Sequence, residues 1–320
     1  VILASTLAPI INAAQKLKIP RWLAVILVYL ALIAIVTGAG LFIGPTVFEQ
    51  IKLLAGKLPS YLDVLQSLAE KLVVRLGMTE PEIFDLINQM FDIQALTAWG
   101  FRSSRELLLR SYGVTLDIIG GVLGVLLVLL FSGYMLSGSD KLIKGLVRLF
   151  PQPWEDSLAA QVIPVSQRMG GYIQGRILVS TILSIVITLG LKLLGISELA
   201  LGLGVIAGVT NLIPFFGPVL GAIPALIVAI AQGGWTFLWV FLLFVIIQNV
   251  ETYVLDPLLV GNSVRVPPLY QLLAVLGGAQ VLGIIGALIV PPWVAGASVL
   301  LENLYLKPKL LAEGTADKPG

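Results

Sequence analysis

Glu251 and Asp256 are carboxylates set in a long apolar stretch. From Ile177 to Leu304 the only charged side chains are Lys192, Glu198, Glu251, Asp256, Arg265 and Glu302. An isolated carboxylate at mid-bilayer is expensive, about 2.5–3.5 kcal/mol for Asp on insertion scales, so it faces a cavity or a partner. Gln248 and Glu251 are three apart and share a helix face, with Asn249 between them. Arg265 or Lys192 would be the ionic partner. A buried Glu251 is then a candidate proton-coupling group. The alternative is that Glu251 lies near the cytoplasmic interface and stays hydrated.

The second kind of chemistry is a broken backbone. Asn211 to Pro218 reads NLIPFFGP, with Asn211, Pro214, Gly217 and Pro218 as its key positions, extended by Gly221 and Pro224. Pro257 to Pro268 (PLLVGNSVRVPP), which contains Gly261, is followed by LGGAQVLGIIG, which contains Gly283. Proline removes a backbone donor and clashes with the carbonyl four residues back. In lipid the freed groups need protein partners or a water-filled cavity. Paired breaks in separate parts of a membrane chain point to a transport site. The alternative is that each break is an ordinary interfacial turn. For the second, a hairpin turning within the membrane is expected, because Leu269 to Ala279 is too short to cross alone.

Composition sets the frame for both. The chain has 320 residues, of which 58% are hydrophobic and 12% charged. Its mean hydropathy is +0.99. Soluble proteins carry about 25% charged residues, and spanning helices need roughly 20 apolar residues each. The reading is an all-α, polytopic helical membrane protein of about seven or eight transmembrane segments, some re-entrant or broken, with a small external helical domain. A net charge of +2 gives no reason to expect nucleic acid. With neither Cys nor His, disulfides, Cys/His zinc sites and His- or Cys-based catalytic groups are excluded. No P-loop, dinucleotide fingerprint, EF-hand or zincin motif occurs. Asp117 and Asp256, the only pair an intramembrane aspartyl protease could use, lie in no matching motif. No enzyme activity and no cofactor or metal are expected.

The elements that would carry these residues follow in order. Residues 1–45 hold a partial first span and a complete second one, ended by Gly44-Pro45. Residues 46–113 regain charge at helical spacing and read as an external domain of three or four amphipathic helices, with Ser60 and Thr79 as N-caps and Pro81 in a first turn. Residues 114–136 form the third span, whose glycines suit close packing in lipid, with Asp117 at the interface. Residues 137–176 are a basic amphipathic connector that could lie in the headgroup plane. Residues 177–305 form the transport core, broken at 211–218 and 257–286, and residues 306–320 are a polar tail.

Lys and Arg in short loops set the orientation. Lys16 to Arg21, Lys141 to Arg176, Arg265, and Lys307 with Lys309 should share the cytoplasmic side. Residues 46–113 then lie outside, and Lys192 is the one short-loop cation on the wrong side.

The pattern resembles the autoinducer-2 exporter family of bacterial permeases. It rests on Pro20-Arg21 followed by Leu23-Ala24-Val25; Pro45 and Gln50 leading to Leu58-Pro59; Asn211-Leu212-Ile213-Pro214 with Gly217-Pro218 and Pro224; Glu251 followed by Asp256-Pro257, Gly261 and Ser263; and Gly283, Gly286 and Pro291. Val266-Pro267-Pro268-Leu269 departs slightly from the family's usual leucine before the later Pro-Leu. The resemblance implies a multi-pass bacterial inner-membrane transporter, either of an autoinducer-2-like signal or of sodium or lithium against protons. It also implies a homo-oligomer, a pentamer being one form, with the lipid bilayer and a small solute or monovalent cation as partners.

The leading expectation is a secondary transporter. Asn211, Pro214, Gly217 and Pro218 would shape one half-site, Gln248, Asn249, Glu251 and Asp256 would line the route, and the breaks around Gly261 and Gly283 would supply the other half. The alternative is a non-transporting membrane scaffold whose external helical domain holds a partner. A passive channel is a third reading.

Overall fold

A computed structural model describes residues 1–77, 111–261 and 267–313. Thr79, Pro81, Ser263, Arg265 and the last residues of the tail lie outside the described residues, as does most of the second half of the expected external domain. The described chain is helical throughout, with no strand. Its helices are α1 (Ile2–Lys16), α2 (Arg21–Arg75), α3 (Ser111–Ser137), α4 (Ser139–Val147), α5 (Trp154–Leu193), α6 (Ala200–Thr210), α7 (Phe216–Gln232) and α8 (Thr236–Val250). A π-helix, π1 (Glu251–Val260), continues α8; α9 (Pro268–Leu301) follows, then π2 (Glu302–Leu306) and α10 (Lys307–Ala312).

By length and composition, four stretches among the described residues could cross a membrane: Arg21–Arg75, Trp154–Leu193, Thr236–Val260 and Pro268–Ala312, the last of which folds back at Gly283. A fifth arises if Leu123–Ser137 and Lys141–Val147, bent by 86°, act as one. α6 and α7 are apolar but shorter. Large apolar side chains point outward along α2, with Ile35 and Phe42 exposed. A monomer in water does not carry an apolar face of this extent; a lipid-facing helix does. The chain is a polytopic helical membrane protein.

Three expectations change. Gly44-Pro45 does not end a helix, because α2 passes through both Pro45 and Pro59 as one 55-residue element. A proline forfeits one hydrogen bond and bends a helix without having to stop it. At 1.5 Å per residue α2 is about 80 Å long, far more than a hydrocarbon core of about 30 Å. Ser60 therefore caps nothing. It lies inside α2, and its hydroxyl donates to the Lys57 carbonyl at 2.7 Å. Arg176, counted with the connector, stands instead in the middle of α5, which begins at Trp154 and runs unbroken through Pro164.

The core gathers where α5, α6, α7 and α8 meet, around Val179, Leu183, Ile187, Leu203, Ala225 and Val240. Lipid removes most of the hydrophobic gain from helix contact, so close packing of small residues matters more. At Gly217, in the first turn of α7, an added Cβ would strike the Thr210–Asn211 backbone. The α6–α7 connection is thereby pressed tightly together. The chain beyond Pro45 joins this core: Leu54 and Tyr61 pack against it, and Gln50 Oε1 accepts the Gly202 N–H at 2.6 Å. Gly202 lies in the first turn of α6, whose N-cap residue supplies no side-chain bond. Gln50 thus satisfies one of the turn's open donors from a distant helix.

α9 is two arms. Gly283 has φ 63°, ψ −146°, a conformation that favours glycine. Residues eight apart in a straight helix are about 12 Å apart along its axis, yet a Cβ on Gly286 would overlap the Gly278 carbonyl. The chain therefore reverses between them, the turn expected for this segment.

Candidate functional site

The side chain of Arg176 is 8% exposed in the middle of α5. One residue earlier, a Cβ on Gly175 would lie 2.5 Å from the Leu259 carbonyl oxygen. Only a residue without a side chain lets π1 lie this close to α5, and that approach delivers two carboxylates to one guanidinium. Arg176 Nη1 donates to Glu251 Oε1 at 3.1 Å and lies 3.5 Å from Asp256 Oδ1. Asn211 Nδ2, from the end of α6, donates to the same Glu251 oxygen at 3.0 Å. Glu251 is 3% exposed and Asn211 2%, whereas Asp256 is partly open at its side chain.

The π-helix makes this convergence possible. In an α-helix, residues five apart are turned about 140° from one another. With i to i+5 bonding they stack, as the Gly261 N–H to Asp256 carbonyl bond of 2.7 Å shows for this stretch. Pro257 supplies the cause: it lacks an N–H and crowds the carbonyl four residues back, and a wider turn relieves that clash. Glu251 and Asp256 consequently meet the same cation.

The charges do not balance. One guanidinium against two carboxylates leaves a net charge of −1 unless a proton or a further cation joins them. Buried ion pairs are costly to desolvate and hold only when well partnered. Arg176 Nε, Asn211 Oδ1, Ser180 Oγ and Tyr172 OH are buried without a hydrogen-bond partner in the protein. Together they give the site spare donors and acceptors. No three His, Cys, Asp or Glu side chains converge in a metal-holding group among the described residues.

Beside the cluster is a small recess, lined by Asn211, Pro218, Gln248 and Glu251 and walled by apolar residues such as Leu183 and Phe244. The α6–α7 turn forms one edge. Phe215 has φ 66°, ψ −45°, and the Phe216 N–H reaches the Pro214 carbonyl at 2.8 Å. That is a γ-turn of the strained, positive-φ kind, worth about 1–3 kcal/mol of stored strain.

The sequence-derived residues divide accordingly. Asn211, Glu251 and Asp256 meet in the cluster; Pro218 and Gln248 line the recess; Pro214 and Gly217 build the turn. Gly261 closes π1. Asn249 turns away, donating to the Val245 carbonyl at 2.7 Å. Gly283 stands at the α9 hairpin among exposed residues such as Val281 and Ile284 and does not line the recess. Arg176 is the ionic partner among the described residues; Lys192 is exposed and does not fill the role, and Arg265 lies outside the described residues. One signal could have found it. Arg168, Tyr172, Arg176 and Ser180 recur every four residues, a polar line on one helix face.

Comparison with known proteins agrees with this architecture. The chain is 27% identical over 303 residues to "Putative transport protein YueF" of Bacillus subtilis, covering 94% of this chain and 81% of that one. It is 34% identical over 168 residues to "Putative transport protein YrrI" of the same organism, covering 52% of this chain and 47% of that one. A Synechocystis protein, "Putative transport protein sll0063", is 26% identical over 303 residues, covering 91% and 73%. Residues 1–306 match the family described as AI-2E family transporter. With the match running from the first helix through π2, the chain belongs to the AI-2E transporter family.

Proposed function

We propose that this chain is a secondary transporter in which Arg176, Glu251, Asp256 and Asn211 form the coupling centre, exchanging a monovalent cation for a proton. The observation that carries this reading is the single buried guanidinium shared by two carboxylates. Such a centre is one positive charge short of balance. A proton or a small cation supplies that charge, and the two compete for it. Competition for one charge deficit is the elementary requirement of antiport. Export of an autoinducer-2-like organic signal is the other substrate class of this reading. The chain would sit in the bacterial inner membrane, with the connector and C-terminus cytoplasmic and residues 46–113 outside, on the strength of Lys and Arg at 16–21, 141–148 and 307–309.

The test is flux in proteoliposomes containing a pH-sensitive dye. A sodium or lithium gradient should drive proton movement in the wild type, and Glu251→Gln should reduce it at least 10-fold with the protein still folded. Proton movement that ignores the cation gradient would overturn the antiport reading. Saturable uptake of an organic signal without proton movement would replace it with export.

A further inference from the structure

The Arg176 centre has a counterpart elsewhere on α5. Glu251 to Pro257 reads ETYVLDP, and Glu302 to Pro308 reads ENLYLKP. The two agree at the first, fifth and seventh positions. Each Glu opens a π-helix, and each is followed six residues later by a proline. In both cases the Glu reaches an arginine of α5: Glu251 takes Arg176 at 3.1 Å, and Glu302 takes Arg168 at 3.1 Å. The arginines are eight residues apart, about 12 Å along the helix axis.

The sixth position differs, and it inverts the electrostatics. Asp256 in the first copy makes one cation serve two anions. Lys307 in the second makes one anion serve two cations, with Glu302 Oε1 lying 3.8 Å from Lys307 Nζ. The Lys307 N–H bonds the Glu302 carbonyl, so the i to i+5 stacking is the same. Ser298 and Arg168 are also joined, at 3.3 Å. The second centre is less buried: Arg168 and Glu302 are 16% and 27% exposed at their side chains, against 8% and 3% for Arg176 and Glu251.

Between the two arginines, on the same line, is Tyr172, and beyond Arg176 is Ser180. Both are buried with hydroxyls lacking a partner in the protein. A polar line about 18 Å long thus runs along α5, from a partly exposed ion pair to a buried one. We infer that this line is the route by which water and small ions reach the Arg176 centre, and that Arg168, Glu302 and Lys307 form the gate at its outer end, toward the start of α5. The net positive charge there makes the closed gate repel a cation. Separating Arg168 from Glu302 frees a carboxylate that attracts one. This inference rests on the transport reading above, but its test does not need flux.

The chain has no cysteine, so Ser180→Cys provides a single reporter without background. A water-soluble methanethiosulfonate reagent is added to the protein in nanodiscs, and the labelling rate is compared with and without Arg168→Gln/Glu302→Gln. Removing the gate should raise the rate at least 10-fold. An unchanged rate would overturn the inference. If the paired variant does not fold, Glu302→Asp keeps the charge, shortens the reach and should raise the rate severalfold; no rise would again count against the gate. In the flux assay, loss of Glu251 dependence with gated labelling intact defeats the coupling reading alone. Coupled flux with labelling insensitive to both variants defeats the gate alone.

Discussion

Arg176 Nη1 stands 3.1 Å from Glu251 Oε1 and 3.5 Å from Asp256 Oδ1, so one nitrogen of one guanidinium serves two acids from the same π-helix. Any change to one partner is therefore felt by three residues.

Removing the cation should be worse than removing the whole pair. Arg176→Gln leaves Glu251 buried against Asp256 and is expected to cost about 3–5 kcal/mol, the usual penalty for breaking a buried pair. Arg176→Gln/Glu251→Gln should recover at least half of it. Thermal unfolding in detergent for both singles and the double gives the coupling energy. Strictly additive losses would mean that the pair does not interact.

Asp256 is the more exposed of the two acids, so its loss should affect ion dependence more than stability. Asp256→Asn is expected to shift Tm little and to weaken the apparent cation affinity about 10-fold. The measurement is the sodium or lithium concentration for half-maximal proton release. An unchanged value would remove Asp256 from the coupling centre.

Gly175 lets π1 reach α5. Gly175→Leu places a side chain against Leu259 and Val260, and overpacking of this kind costs about 1–3 kcal/mol. The larger effect should be on flux, since π1 carries both acids. Wild-type flux in a folded Gly175→Leu protein would show that their distance from Arg176 is immaterial.

Gln50 bonds the first turn of α6, and the last turn of α6 leads into Asn211. Gln50→Ala should cost about 1 kcal/mol, as for other lost helix caps. Hydrogen exchange would place the loss: the amide of Gly202 should exchange faster than those in the middle of α6. Equal exchange in variant and wild type would argue that water replaces Gln50 without cost.

The acids of the site could be read from the chain because an unpaired carboxylate in apolar sequence is costly, which singles out Glu251 and Asp256 without structural knowledge. The α6–α7 turn could be read because NLIPFFGP leaves no continuous helix. Arg176 could not. A cation beside Gly170, Gly171 and Gln174 looks like a solvated connector, and only tertiary packing shows that it is enclosed. Pro45 and Pro59 misled in the opposite direction, since a proline's local penalty says nothing of how many turns on either side hold the helix together. The π-helices leave no trace in a 3.6-residue period; their sign is a proline six residues after an acid, which acquires meaning only when seen twice.

The length of α2 has a mechanical consequence. Measured from Pro45, one of the two prolines inside this helix, Gln50 is about 7 Å away and Arg75 about 45 Å. Those distances make a lever with a ratio near six to one. A swing of several ångströms at the far end becomes about one ångström where Gln50 grips α6, and a weak push at that end becomes a strong one at the grip. A contact made at the Arg75 end of α2 would in this way be felt at α6 as force, with little displacement.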